Sequence, residues 1–361
     1  MSVYALSFHA HYACRHSGAC CTAGWSIPVE PRLLPLVGVD LLVPDAAGAC
    51  IQFDGASRLC TIQREHGENM LPGACYQFPR RALIDDRGTF VALSNFCPTA
   101  AALLCESDEQ LAIVASPPAF PEGRVYEGLD ARGQWPPLVR PGVLFDLASY
   151  SRWEQFIVST FASGVSAGIA LARIAATAER LRAWAAARGP FDSWMTRSLQ
   201  PSAIDTNSVA IYDRFRAPET FEQLRRFVPA GLSAPEALSE VTSIRELGPG
   251  VESRAVNRYL ASKAFASWCA YESRGIRTLV AELFVSELVL RVECERAWRA
   301  ARRAPVDGTN SDAQGRLDRS LMIEAIRQSD LLLTHLIDRK RMVEWLGQVE
   351  EIADCRFQTA D

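Results

Sequence analysis

Lysine is nearly missing from this chain: among 38 Lys and Arg residues, only Lys263 and Lys340 are lysines. The base composition of a GC-rich gene accounts for such a bias, and the scarcity alone assigns no chemistry. An excess of positive charge is missing too. The net charge is −4 and the isoelectric point is near 5.9, so no global field draws the chain to nucleic acid or anionic lipid. Long apolar runs are also wanting. The most apolar long segment, Ile276–Val292, is interrupted by Arg277, Glu282, Glu287 and Arg291. Charges at that density exclude a bilayer span and predict a helix buried round most of its circumference. The first residues, MSVYALSFHAHYACRHSG, show no basic stretch followed by an apolar one, and so predict no secretory leader. These absences predict a soluble, cytoplasmic protein that takes neither nucleic acid nor membrane as a partner.

A length of 361 residues suits about two domains, and 48% apolar with 22% charged residues is ordinary for a globular chain. Residues 1–115 are punctuated by Gly and Pro, and their apolar runs are too short for typical helices, which predicts a loop-rich domain with short strands. The turn-like DDRGTF around Asp85-Asp86 reads as a hairpin between ALI and FVAL. Residues 116–143 carry six prolines in SPPAFPEGRVYEGLDARGQWPPLVRPGV and read as an extended connector. From residue 144 to 361 the texture turns helical, in LFDLASYSRWEQFIVSTFA, in SAGIALARIAATAERLRAWAAARG and in DRSLMIEAIRQSDLLLTHLIDRKRMVEWL. Ser166 is placed to cap the second of these, Gly189-Pro190 to stop it, and GTNSD at 308–312 is a polar break before the third. The fold class expected is α+β: a small cysteine-ligated metal domain, then an all-α domain.

The metal expectation comes from the cysteines. Of eleven, eight lie in the first 105 residues: Cys14, Cys20, Cys21, Cys50, Cys60, Cys75, Cys97 and Cys105. Cys269, Cys294 and Cys355 sit in helix-like apolar contexts and read as packing. The adjacent pair Cys20-Cys21 fits disulfide geometry poorly, and a disulfide framework would need an oxidising compartment. Inert burial explains one cysteine better than eight. Metal ligation remains. Paired C-x2-4-C knuckles of structural zinc sites are lacking, as is the C-x3-C-x2-C pattern of radical chemistry. Dispersed all-thiolate ligation suits an iron–sulfur cluster, with zinc a close second. His9, His11, His16 and His66 are secondary ligand candidates, His16 foremost because it lies inside the Cys14–Cys20 loop. Arg80, Arg81, Tyr76 and Phe78 follow Cys75 and are placed to offset thiolate charge or to wall off water.

CRHSGACC resembles the C-x2-C-G-x-C-C pattern of a cysteine-cluster family of zinc- or iron-chelating domains, with Ser17 where the second cysteine would stand. Cys20-Cys21 followed by Ala23-Gly24-Trp25, then LCTIQREHGENMLPGACYQFPR and LSNFCPTAAALL, are similar to the flagellin lysine-N-methylase branch. NRYLASKAF and EAIRQSDLLLTHL resemble it less distinctively. The resemblance implies a cluster, of the 4Fe-4S type, or zinc, held by Cys14, Cys20, Cys21, Cys50, Cys60, Cys75 and Cys97. It also implies methyl transfer from S-adenosylmethionine to lysines of a protein substrate such as flagellin, and the scarcity of lysine would then suit an enzyme that avoids modifying itself.

The residues themselves do not display that chemistry. Methylating lysine requires a neutral amine, whose reference pKa is about 10.4. The one Gly-rich candidate for an adenosine site, ELGPGVE at 246–252, follows no strand pattern and reads as a helix break. No catalytic triad or carboxylate pair stands out, and His335 in LLLTHLID reads as a core histidine rather than a base. A non-catalytic zinc- or iron-binding protein with a helical interaction domain is therefore the alternative to the methylase.

Overall fold

The computed structural model describes residues 1–232, 235–236, 251–303 and 318–351. The 308–312 break, residues 246–250 of the Gly-rich stretch and Cys355 lie outside them. The molecule mixes a small sheet with many helices. Strands β1 (Val3–Leu6), β2 (Arg80–Asp85), β3 (Gly88–Leu93), β4 (Ile113–Ala115) and β5 (Gly128–Asp130) form one sheet in the order β4-β1-β3-β2-β5. β2 and β3 are the antiparallel hairpin expected from DDRGTF, with Asp85 paired to Gly88. β1 runs parallel to β3, and β5 parallel to β2.

β5 corrects the reading of residues 116–143, which carry regular structure despite their prolines. The backbone at Gly128 lies so close to β2 that an added Cβ would stand 1.9 Å from the Ala82 carbonyl oxygen. Only glycine allows that approach. A second short pair, Leu138–Arg140 with Val143–Leu144, follows before the helices begin.

Helix α1 (Pro98–Glu106) packs beside the sheet, starting at Cys97 with Pro98 in its first turn, where a missing N–H costs nothing. After residue 144 the described elements are almost all helical. α2 (Leu147–Ala162) starts where Asp146 accepts from the Ser149 amide. α3 (Ala167–Arg182) begins after Ser166, whose side chain makes no capping bond, and it ends at Arg182, short of the expected Gly189. α4 (Val251–Ala264) leads to α5 (Ile276–Arg303), the axis of the bundle. Every residue of α5 from Ile276 to Leu290 is buried, more completely than the burial round most of the circumference expected for that segment. Its charges are paired: Arg277 meets Glu179 at 2.5 Å, and the Tyr212 hydroxyl donates to the same carboxylate at 3.0 Å.

The last helical stretch is broken. α6 (Arg319–Asp330) continues as a wider π turn, Leu331–Leu336, and Ile337 turns extended before α7 (Arg339–Gly347). Asp318 and Asp338 cap the two helices through the amides of Leu321 and Arg341. Aspartate competes for its neighbours' amides and thus favours a helix start over a helix interior.

One core joins sheet and bundle: Leu6, Phe8, Leu83 and Phe90 pack in the same cluster as Trp153, Tyr259 and Phe284. Among the described residues no helix is long and apolar enough to cross a membrane.

Candidate metal centre

The loop from Tyr12 to Trp25 is shaped by three left-handed residues, His16 at φ 52°, Gly18 at φ 74° and Gly24 at φ 74°. A Cβ on Gly18 would come within 2.8 Å of the Phe53 ring, so this turn needs glycine. The carbonyl of Gly18 accepts from the amides of Cys21 and Thr22, which curls the adjacent cysteines back on the loop. The Cys50 amide donates to the Cys21 carbonyl at 2.7 Å, and Arg58 donates to the Ser17 carbonyl at 2.8 Å. These bonds clamp the second cysteine stretch onto the first. Cys60 ends the small hairpin Phe53–Asp54 with Leu59–Cys60 and stands at the N-cap of Thr61–His66. Cys75 lies in the short helix Gly73–Gln77, and Cys97 at the start of α1.

All seven expected cysteines, Cys14, Cys20, Cys21, Cys50, Cys60, Cys75 and Cys97, line one cavity of about 120 Å³. The thiols of Cys20 and Cys21 are 3.9 Å apart. Hydrogen bonding with Cys21 lowers Cys20 to about 7 and Cys60 to about 6, while the Cys21 thiol is raised. Burial raises Cys14 and Cys50, and pushes Cys75 up to about 12. At the other end the buried Cys97 sulfur is 3.6 Å from the Tyr12 hydroxyl. Among the described residues no three His, Cys, Asp or Glu side chains are drawn tightly enough together to grip one bare ion. The thiols surround a space rather than a point.

Of the histidines, His16 lines this cavity, as do Ser17, Tyr76, Phe78 and Arg80. The rest do not: His9 is buried elsewhere, and the exposed His11 lies 3.6 Å from Glu109. Cys105 is buried in the main core, and Arg81 turns to the Trp268 ring at 4.8 Å. Cys269 and Cys294 are buried packing residues, as expected.

Behind the cavity stands a wall that pattern reading missed. Trp25, which lines the cavity, meets Phe78, Phe96 and His335 at ring distances of 5.6, 5.2 and 4.9 Å. Ser94 Oγ donates to Asp330 Oδ2 at 3.0 Å and lies 2.7 Å from His335 Nε2. A hydroxyl has one proton, so His335 is the donor in the second bond and carries hydrogen on Nε2. Burial lowers His335 to about 4 despite the pull of Asp330. The Asp330 carboxyl, raised by burial, is held well below the usual range by Lys263 at 2.9 Å and by His335. His335 is thus a satisfied histidine in the wall. The Ser94–His335 bond spans 241 positions, a separation that no local motif reports.

Compared with known proteins, the chain matches no family model, no curated protein and no solved structure.

Proposed function

We propose that this chain is a metal-cluster protein that methylates lysine side chains of another protein, with S-adenosylmethionine as donor and a cysteine-ligated iron–sulfur cluster in the cavity. The observation that carries the metal part is the gathering of seven thiols from residue 14 to residue 97 around one space. The donor set fits the group: thiolates are soft ligands that select iron–sulfur clusters and zinc. Thiols spread around a cavity favour a multi-atom cluster over a single ion, which needs four ligands at about 2.3 Å from one centre. A cluster bound there would cross-link the loops and supply one-electron chemistry.

The residues divide the work. Cys20, Cys21, Cys50, Cys60 and Cys75 sense one another's charge, and Cys97 lies beside the Tyr12 hydroxyl. Arg58 and Arg80 on the lining offset negative charge from thiolates. Trp25 and Phe78 screen the site from water on the side of the helices, which strengthens each charge interaction inside.

The methylase part rests on the resemblance of CRHSGACC, LCTIQREHGENMLPGACYQFPR and LSNFCPTAAALL to the flagellin lysine-N-methylase branch, and a cytoplasmic setting accords with it. Incubating anaerobically purified protein with methyl-labelled S-adenosylmethionine and flagellin or other lysine-bearing proteins tests it. Label recovered as methyl-lysine supports the reading. A metal-loaded protein that labels none of them points to the non-catalytic metal-binding alternative.

A further inference from the structure

A second cavity lies past the far end of α1. Cys97 and Pro98, at the start of that helix, line the cysteine cavity, whereas Asp108 and Glu109, just beyond its end, line the other. The second cavity measures about 880 Å³, in the range of sites that take sizeable small molecules. The chain turns unused hydrogen-bonding groups of both kinds toward it.

The donors are at the start of α3. Ser166, Ala167 and Gly168 line the cavity, and the Ser166 side chain caps no amide. The first-turn N–H groups of a helix have no acceptor within it, so they and the helix dipole favour an anionic oxygen. Gly168 leaves this end bare: a Cβ added there meets no atom within 4 Å. The acceptors are Asn257 and Glu287, 4% and 8% exposed. Asn257 spends its Nδ2 on the carbonyls of Phe161 and Val165, at 3.1 and 2.8 Å, which fixes it beside the start of α3. Its Oδ1 has no hydrogen-bond partner among the described residues; the Glu287 carboxylate faces Arg291, also on the lining, through Oε1 at 3.8 Å and leaves Oε2 without a hydrogen bond. Buried acceptors left unpaired cost free energy that a bound donor would recover.

We infer that this cavity binds an α-amino-acid zwitterion carried on a larger body, its carboxylate at the amides of α3 and its ammonium at Asn257 Oδ1 and Glu287 Oε2. Resting on the methylase reading, the ligand is the methionyl end of S-adenosylmethionine, and the remaining volume takes the adenosine. In the transfer, the neutral amine of the acceptor lysine forms a nitrogen–carbon bond to the donor's methyl group as the methyl–sulfur bond breaks. The electron pair of that bond stays on sulfur, so the sulfonium becomes the thioether of S-adenosylhomocysteine, and a proton leaves the methylated amine to solvent.

The test is calorimetric titration of the full chain, purified anaerobically, with S-adenosylhomocysteine, with methionine and with adenosine. Two variants probe the site. Gly168→Trp fills the cavity from a position of ordinary helical backbone, and Glu287→Gln removes the charge facing the ammonium. The inference expects S-adenosylhomocysteine to bind the wild type, and both variants to weaken it at least tenfold with unchanged metal content and melting temperature. Undiminished binding to Gly168→Trp overturns the cavity assignment and leaves the methylase reading standing. Binding of methionine but not S-adenosylhomocysteine, lost in Gly168→Trp, keeps the amino-acid site and removes the methylase reading. No binding of any of the three to the wild type overturns the inference.

Discussion

The imidazole of His9, in the turn after β1, is wholly buried, and neither ring nitrogen has a hydrogen-bond partner among the described residues. Burial lowers its pKa from 6.5 to about 3, with Asp330 opposing and Arg258 reinforcing the shift. The unfolded chain therefore takes up a proton near pH 6.5 that the folded chain refuses until about pH 3. Stability from this site is complete above pH 6.5 and is lost as pH falls through that window, by about 1.4 kcal/mol per pH unit. His335, lowered to about 4, acts in the same direction. Urea titrations at pH 7 and pH 5 should show His9→Phe losing about 2 kcal/mol less than wild type over that interval. An equal loss in both would remove His9 as a source of acid sensitivity. Among the cysteines, Cys20→Ser or Cys75→Ser should abolish metal binding and unfold the cysteine-rich region, since such small loop-rich regions depend on their metal. Cys294→Ser, in the packed interior of α5, should retain full metal. Full occupancy and unchanged melting in Cys20→Ser and Cys75→Ser would defeat the ligand assignment.

The hairpin β2–β3 shows how one element is tied to the rest. Arg87 in its turn donates to Asp85 at 2.8 Å and reaches Glu154 of α2 at 3.2 Å, stacked over the rings of Phe90 and Tyr150. Replacing it by methionine leaves two buried carboxylates without a counter-charge, Asp85 keeping the Tyr271 hydroxyl and Glu154 the Ala266 amide, at a cost of about 3–5 kcal/mol. Denaturant unfolding of Arg87→Met checks this, and a loss below about 1 kcal/mol would show that the carboxylates find other partners. The turn itself was legible because Asp-Asp-Arg-Gly is a local signal. Its partner Glu154 was not, because helical periodicity marks a buried face without naming what lies against it. The same limit explains the helix ends. A run of apolar residues through Trp184 hid the end of α3 at Arg182, while Asp338 carried the start of α7 in plain view inside a stretch read as continuous.

Sheet and bundle share one core, so the molecule as a whole should unfold cooperatively despite the change of texture near residue 144. A fragment beginning at residue 144 would lose Leu6, Phe8, Leu83 and Phe90 from that core and should not fold alone. A fragment with native-like melting would contradict the shared core. The cysteine cavity was the most legible feature of the chain, because thiol chemistry is written in residue type and all seven cysteines singled out line one space. The second cavity was invisible in the sequence, since backbone amides, a glycine and one asparagine form no motif. The wall of Trp25, Phe78, Phe96 and His335 was hidden for another reason: it is assembled across the whole length of the chain.

Whether the seven thiols hold an iron–sulfur cluster is tested most directly by elemental analysis of protein purified without oxygen. Brown protein with iron and acid-labile sulfide in equal amounts, both lost in Cys20→Ser and Cys75→Ser, is the predicted result. Colourless protein with stoichiometric zinc, or with neither metal and the cavity cysteines open to thiol reagents, would contradict the cluster assignment.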